Sequence, residues 1–183
     1  MANIQVPTRD QVDATAQGIF DNLKKQLGTV PNLYATIGYS SEALSSFLAF
    51  SGNAGKASFT AKEIEAIKLA VSQVNSCEYC LAAHTTLGKI AGFTEDETFS
   101  LRTATIEDPR LNSITTLAKE IAENRGKATS ATIDRFFDQG FDEKALIDLI
   151  ATVTAVTFTN YVYGATQVAV DFPKAKPIEA LVG

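Results

Sequence analysis

The sequence is short of reactive side chains. Its 183 residues include one histidine, one methionine, two cysteines and no tryptophan. Cysteine this scarce excludes a disulfide-stapled secreted scaffold, which spreads its cysteines to tie distant segments together. A bridge between Cys77 and Cys80 closes a tiny loop and adds little stability, so the pair is better read as chemistry than as structure. Basic residues are not in excess. Sixteen Lys and Arg face 21 Asp and Glu, a net charge of -5, and nothing is built to neutralise phosphates; nucleic acid is not an expected partner. No apolar run is expected to span a membrane. Ala145–Gly164 comes closest, but Asp148 and several Thr and Asn residues interrupt it. The N-terminus has no basic region followed by an apolar run, so neither a signal peptide nor a membrane partner is expected, and the expected location is cytoplasmic. No glycine-rich phosphate loop follows a strand, so no cofactor is implied.

What is present is helical patterning. Apolar residues make up 45% and charged residues 20%, an ordinary globular balance for one domain over residues 1–183. Val12, Ala16, Phe20 and Leu23 mark a helix over Thr8–Leu27, closed by Gly28. Pro31–Ile37 reads as a short helix and Ser41–Ala54 as another. Thr60 and Glu63 have capping-box spacing, with Phe59 and Ile64 placed for a hydrophobic staple. Asn75 and Ser76 predict a break, after which a helix runs from Cys77 to about Ala91. A second capping box, Thr94 and Glu97, opens a helix to about Thr105. Pro109 starts the next, with Leu111, Ile114, Leu117 and Ile121 as its stripe. Ser130–Gln139 follows. Asp142 caps a long helix over Glu143–Val170, and Pro173 and Pro177 mark an irregular tail. Thr and Val are frequent in Ile150–Thr159, yet one strand in a helical chain has no partner, so helix is expected there too. Gly92-Phe93-Thr94-Glu95 echoes Gly140-Phe141-Asp142-Glu143, either because good caps look alike or through an old internal duplication.

Cys77, Cys80 and His84 share one face of the expected helix, at i,i+3 and i,i+4 spacing. In the first turn, Cys77 meets the free N–H groups and dipole that favour a thiolate. A thiolate can attack a peroxide, and a second thiol one turn away can condense with the sulfenic acid to give a disulfide. His84 can relay the proton. Glu63, Glu65 and Glu78 all lie close enough along the chain to orient the imidazole. The same residues could ligate zinc, though no second Cys or His cluster supplies a closed site. A thioredoxin-like setting lacks its strand. Tyr79 lies between the cysteines and either walls the pocket or packs. Asn160, Tyr161 and Tyr163 form a polar-aromatic spot, and Asp148 invites a cationic partner.

Glu65 followed by Cys77-x-x-Cys80-x-x-x-His84 resembles the signature of the alkylhydroperoxidase D-like branch of the carboxymuconolactone decarboxylase superfamily. Pro31-Asn32-Leu33-Tyr34 and Ser41-Glu42-Ala43-Leu44 resemble the lead-in segment of its peroxidase-related subgroup. The resemblance covers about residues 15–170. It implies an all-α fold, a homo-oligomer (dimer, trimer or hexamer), a hydroperoxide substrate and an external dithiol or protein reductant. It also implies that Cys80 is the peroxidatic cysteine, Cys77 the more exposed resolving one, and Glu65 with His84 the proton relay. The dipole argument instead favours Cys77 as the lower-pKa thiol. Tyr79 stands where the best-described alkylhydroperoxidase D proteins carry a second histidine, and a phenol is no near-neutral base. Lactone decarboxylation is not expected, since that branch lacks the cysteine pair. The rival reading is a disulfide oxidoreductase or redox sensor with little peroxide turnover.

Overall fold

Side-chain caps set most of the helix starts. The computed structural model describes residues 4–178, and among these are nine α-helices and no strands. They are α1 (Ala14–Leu27), α2 (Asn32–Ile37), α3 (Ser41–Asn53), α4 (Ala61–Val74), α5 (Glu78–Ile90), α6 (Glu95–Thr103), α7 (Pro109–Glu123), α8 (Ser130–Asp138) and α9 (Glu143–Thr166). Both expected capping boxes form, Thr60 with Glu63 and Thr94 with Glu97. Asp142 caps α9 by accepting the Ala145 N–H at 2.8 Å.

Two expected boundaries move by several residues. The first helix does not begin at Thr8. Thr8 and Gln11 close a separate 3-10 turn, and Asp13 caps α1 by accepting from the Ala16 N–H at 2.9 Å. Two capping signals five residues apart compete, and each starts its own element. The last helix ends at Thr166, not Val170, because Gln167 turns left-handed (φ 50°) and donates its N–H to the Tyr163 carbonyl. Ile150–Thr159 is helical as expected.

The helix α4 is central and packs against α5, α6, α7 and α9. One core joins Ile67 and Val71 of α4 to Ile114 and Leu117 of α7, Phe136 of α8, and Leu149 and Val153 of α9. There Phe136 stacks on Phe141 at 4.3 Å and 6°, and the Arg110 guanidinium lies 3.8 Å over Phe141. A second core packs Phe20 of α1, Ala35 and Ile37 of α2, and Leu44 and Phe47 of α3 against Ala155 of α9.

By length and composition α9 is apolar enough to cross a membrane, contrary to the expectation from its interrupting polar residues. The interrupting residues are mostly uncharged threonines, and Asp148 is the one charge between Ala145 and Gly164. Thr152, Thr154, Thr157 and Thr166 donate their hydroxyls to carbonyls four residues back, so the helix satisfies its own polar groups. In this fold α9 lays one side into both cores. Asp148 finds Ser58, which donates at 2.5 Å, and Lys144 at 3.6 Å.

Gly38 closes α2 directly against α1. A Cβ there would sit 2.5 Å from Phe20 Cζ and 3.0 Å from the Ala35 carbonyl oxygen. Phe20 is buried and has nowhere to retreat. Gly38→Ala is expected to destabilise the protein by about 1–3 kcal/mol through overpacking, read as a lower urea midpoint with an unchanged m-value.

Candidate active site

The joint between α4 and α5 builds the site. The Asn75 N–H bonds back to the Val71 carbonyl, and Ser76 takes a left-handed φ of 51°. The Ser76 N–H then donates to the Gln73 carbonyl at 3.1 Å and the Cys77 N–H to the Ser72 carbonyl at 3.0 Å. This is a Schellman closure with serine at the position glycine usually takes. It delivers Cys77 as the N-cap of α5, where its Sγ accepts the Cys80 N–H at 3.2 Å. Cys77 is therefore not in the first helical turn. It sits one position before it, and its sulfur does the work that serine or aspartate usually does.

Both cysteines are reduced and buried, Cys77 at 1% and Cys80 at 2% exposure. Cys77 is thus not the more exposed of the two. It packs with Leu33, Tyr79, Tyr163 and Val168, whereas Cys80 lines a cavity. Nor is Cys77 the lower-pKa thiol. The hydrogen bond it gives to Cys80, then burial, push its pKa up, and the charge of a Cys80 thiolate adds to this. That same bond lowers Cys80. Burial opposes the effect, and Asn160 and Thr159 support it. The dipole argument fails because a neighbouring sulfur at contact outweighs the partial charge of a helix end.

His84 lies one turn beyond Cys80 and lines the same cavity. Its Nδ1 is 2.8 Å from Glu65 Oε2, while Lys68 Nζ donates to Glu65 Oε1 at 2.9 Å. Burial would raise the Glu65 pKa, but the charge and hydrogen bond of His84, then those of Lys68, outweigh it and hold the carboxyl at about 2. The other two carboxylates are elsewhere. Glu63 receives the Thr60 N–H at 2.8 Å and the Arg110 Nε–H at 2.6 Å, and Glu78 is exposed.

The Tyr79 hydroxyl donates to Asp171 Oδ1 at 2.5 Å and accepts the Leu33 N–H at 3.2 Å. Burial and the Asp171 bond push its pKa up, so it stays a protonated strut. Asp171 Oδ2 also accepts the Asn32 N–H at 2.9 Å, and Phe172 packs edge-on to Tyr79 at 5.7 Å. Tyr79 thereby straps the segment after α9 across α2 and α5.

The sequence reading missed Lys68, Thr159, Tyr34 and Asp171, and it noted Asn160 without a role. Thr159 Oγ1 is 3.9 Å from Cys80 Sγ. Asn160 Oδ1 accepts from Asn75 Nδ2 at 2.8 Å, and Asn160 Nδ2 donates to Ser72 Oγ at 3.4 Å, which ties α9 to the joint. Lys68 alone had a local signal, its i,i+3 spacing from Glu65. Tyr161 points away, exposed at 67%.

The cavity has a volume of about 520 Å³. Leu33, Phe47, Leu87, Val156 and Phe172 give it a mainly apolar wall, and Cys80, His84, Lys68 and Tyr34 supply its polar edge.

The profile of the Carboxymuconolactone decarboxylase family matches residues 41–123. No curated protein matches the sequence. A peroxidase-related protein from Silicibacter sp. TM1040 superposes with a TM-score of 0.78 at 22% identity, covering 91% of this chain and 90% of that one. An alkylhydroperoxidase AhpD core protein from Ralstonia eutropha JMP134, also peroxidase-related, gives 0.82 at 18% identity over 92% of each chain. A variant of the debrominase Bmp8 bound to 2,3,4-tribromopyrrole gives 0.76 at 14% identity, covering 93% of this chain and 92% of that one. These likenesses establish the all-helical AhpD-like fold.

Two outcomes are expected of this geometry. Ser76→Gly relieves the left-handed strain and stabilises the protein by about 1 kcal/mol, measured by urea unfolding. Because the Glu65 pKa is depressed on folding, its contribution is complete above about pH 5 and is lost as pH falls towards 2. That contribution is roughly 3 kcal/mol by linkage. Unfolding midpoints of the wild type decline across that window, and those of Glu65→Gln follow a flatter profile.

Proposed function

The chain carries a carboxymuconolactone decarboxylase family domain, and from that premise we propose that it is a thiol peroxidase reducing organic hydroperoxides through a Cys77–Cys80 disulfide. The observation that carries this reading is the position of Cys80. Its sulfur lines an apolar cavity beside a histidine fixed by a carboxylate, and its own backbone N–H is held by the Cys77 sulfur at 3.2 Å.

Glu65 accepts the Nδ1–H of His84, leaving Nε2 as the base. Nε2 takes the Cys80 proton. The thiolate attacks the terminal oxygen of the hydroperoxide, the O–O bond breaks, and the alkoxide leaves with the electron pair and collects the proton from His84. Cys80 becomes a sulfenic acid. The Cys77 thiol condenses with it, forming the disulfide and releasing water. An external dithiol then restores both thiols by exchange and is itself oxidised. A reducing compartment such as the cytoplasm keeps the pair ready for this cycle.

A cavity this large and apolar favours an organic hydroperoxide over hydrogen peroxide, which makes no use of its walls. Self-association is part of the same proposal. Ile90 of α5 is 78% exposed and Ile147 of α9 is 64% exposed, large apolar side chains suited to contact with further copies. A second reading draws on the same cavity. A thiolate facing an apolar chamber also suits attack on a soft halogen, and one structural neighbour is a debrominase.

Stopped-flow mixing of the reduced protein with organic hydroperoxides, hydrogen peroxide and a brominated pyrrole separates these readings. The expected result is rapid Cys77–Cys80 disulfide formation by mass, fastest with the organic hydroperoxides. Cys80→Ser abolishes it, and Cys77→Ser stops at a trappable sulfenic acid on Cys80. Oxidation no faster than that of free cysteine would sink the proposal. Rapid exchange with a dithiol and no peroxide turnover would favour a disulfide oxidoreductase or redox sensor instead.

A further inference from the structure

Tyrosine hydroxyls elsewhere in the fold have partners or solvent. Tyr39 donates to the Gln5 carbonyl at 3.0 Å and Tyr79 to Asp171, and Tyr163 lies near the Glu78 carboxylate. Tyr161 is exposed. Tyr34 differs. It is half-buried and lines the cavity together with Cys80 and His84, yet nothing among the described residues hydrogen bonds its hydroxyl. The hydroxyl is not sealed away: it stands on the wall of a mainly apolar chamber, open to solvent and free to bond whatever enters.

Its position is fixed by its surroundings. The Tyr34 ring packs edge-on to Phe47 at 5.9 Å and 62°. The preceding residue, Leu33, donates its N–H to the Tyr79 hydroxyl, and Asn32 donates to both Asp171 and the Ala169 carbonyl. This pins α2 against the N-terminal turn of α5, which carries Cys80. Burial raises the Tyr34 pKa to about 12, and the charges of Cys80 and Glu65 add to the rise. The phenol therefore lies close to both charged groups and remains a protonated donor wherever the thiolate exists.

We propose that Tyr34 is a catalytic residue whose hydroxyl donates a hydrogen bond to the leaving oxygen of the hydroperoxide. This rests on the peroxidase reading above. The ground-state peroxide oxygen is a weak acceptor. As the O–O bond breaks, that oxygen takes the electron pair and becomes an alkoxide. The Tyr34 bond then becomes charge-assisted and stabilises the transition state more than the bound substrate. His84 still delivers the proton, so Tyr34 ends the step as it began. The assignment also gives the cavity a polarity. The organic group lies along the Leu33, Phe47 and Phe172 walls, and the peroxide lies between Cys80 and Tyr34.

Tyr34→Phe keeps the ring and its contact with Phe47 and removes only the hydroxyl. The test compares wild type and Tyr34→Phe on two oxidants. Cumene hydroperoxide expels an alkoxide, whereas perbenzoic acid expels a carboxylate that needs no such help. The rate of iodoacetamide with Cys80 against pH is followed in parallel. The expected result is a loss of about 10- to 100-fold in kcat/KM with cumene hydroperoxide, little loss with perbenzoic acid, and an unchanged alkylation profile. Equal loss on both oxidants, no loss on either, or a shifted alkylation profile would overturn the assignment while leaving the peroxidase reading intact. A wild type inert to both oxidants would overturn the peroxidase reading and this inference together.

Discussion

The rest of the site depends on one reversal of the backbone, the Schellman closure at Asn75–Cys77. It ends α4 and starts α5 within three residues, and so fixes how the two helices face one another. Glu65 and His84 are 19 residues apart in the chain, yet they meet at 2.8 Å because this joint folds their helices together. The joint is held from the far side by Asn160, which bonds Asn75 and Ser72 from α9. A serine in left-handed conformation costs energy that a glycine would not. The surrounding hydrogen bonds hold it there, as is common where backbone geometry serves a site.

Around that joint the residues divide their labour by distance. Glu65, Lys68 and His84 form a hydrogen-bonded chain in which each member orients the next, and the carboxylate stays ionised despite burial because both neighbours bond it. Cys77 and Cys80 form the second pair. The asymmetry between them comes from their surroundings: Cys77 faces packed side chains, while Cys80 faces the cavity. Tyr79 serves neither pair. It binds the segment after α9 to α2 and α5, which places Phe172 in the cavity wall.

Features written over three or four residues were legible in the sequence. The capping boxes at Thr60 and Thr94 and the Cys80–His84 spacing are local, and local hydrogen bonds follow from adjacent residue types. The break at Asn75 and Ser76 was legible for the same reason. Its consequence was not, because moving the helix start by one residue turns Cys77 from a first-turn residue into a cap. Thr159, Tyr34 and Asp171 reach the site through contacts spanning tens of residues, and no periodicity encodes these. The relative acidity of the thiols was likewise beyond a dipole argument, since it depends on which sulfur receives the other's hydrogen. The end of α9 was misplaced because the stop is a glutamine in left-handed conformation, with no glycine to mark it.

Using a sulfur as a helix cap has a consequence of its own. In the proposed cycle the Cys77 sulfur caps α5 as a thiol when the pair is reduced and as half of a disulfide when it is oxidised, and the two accept a backbone N–H unequally. The same atom therefore reports the redox state of the pair and anchors the first turn of α5. The two roles are linked by a closed thermodynamic cycle. Whatever free energy the helix start loses on oxidation appears, equal in size, as a bias of the thiol pair towards reduction. On the proposed cycle, secondary structure and electron transfer share a single sulfur, and any substitution that strengthens or weakens the first turn of α5 also retunes the couple.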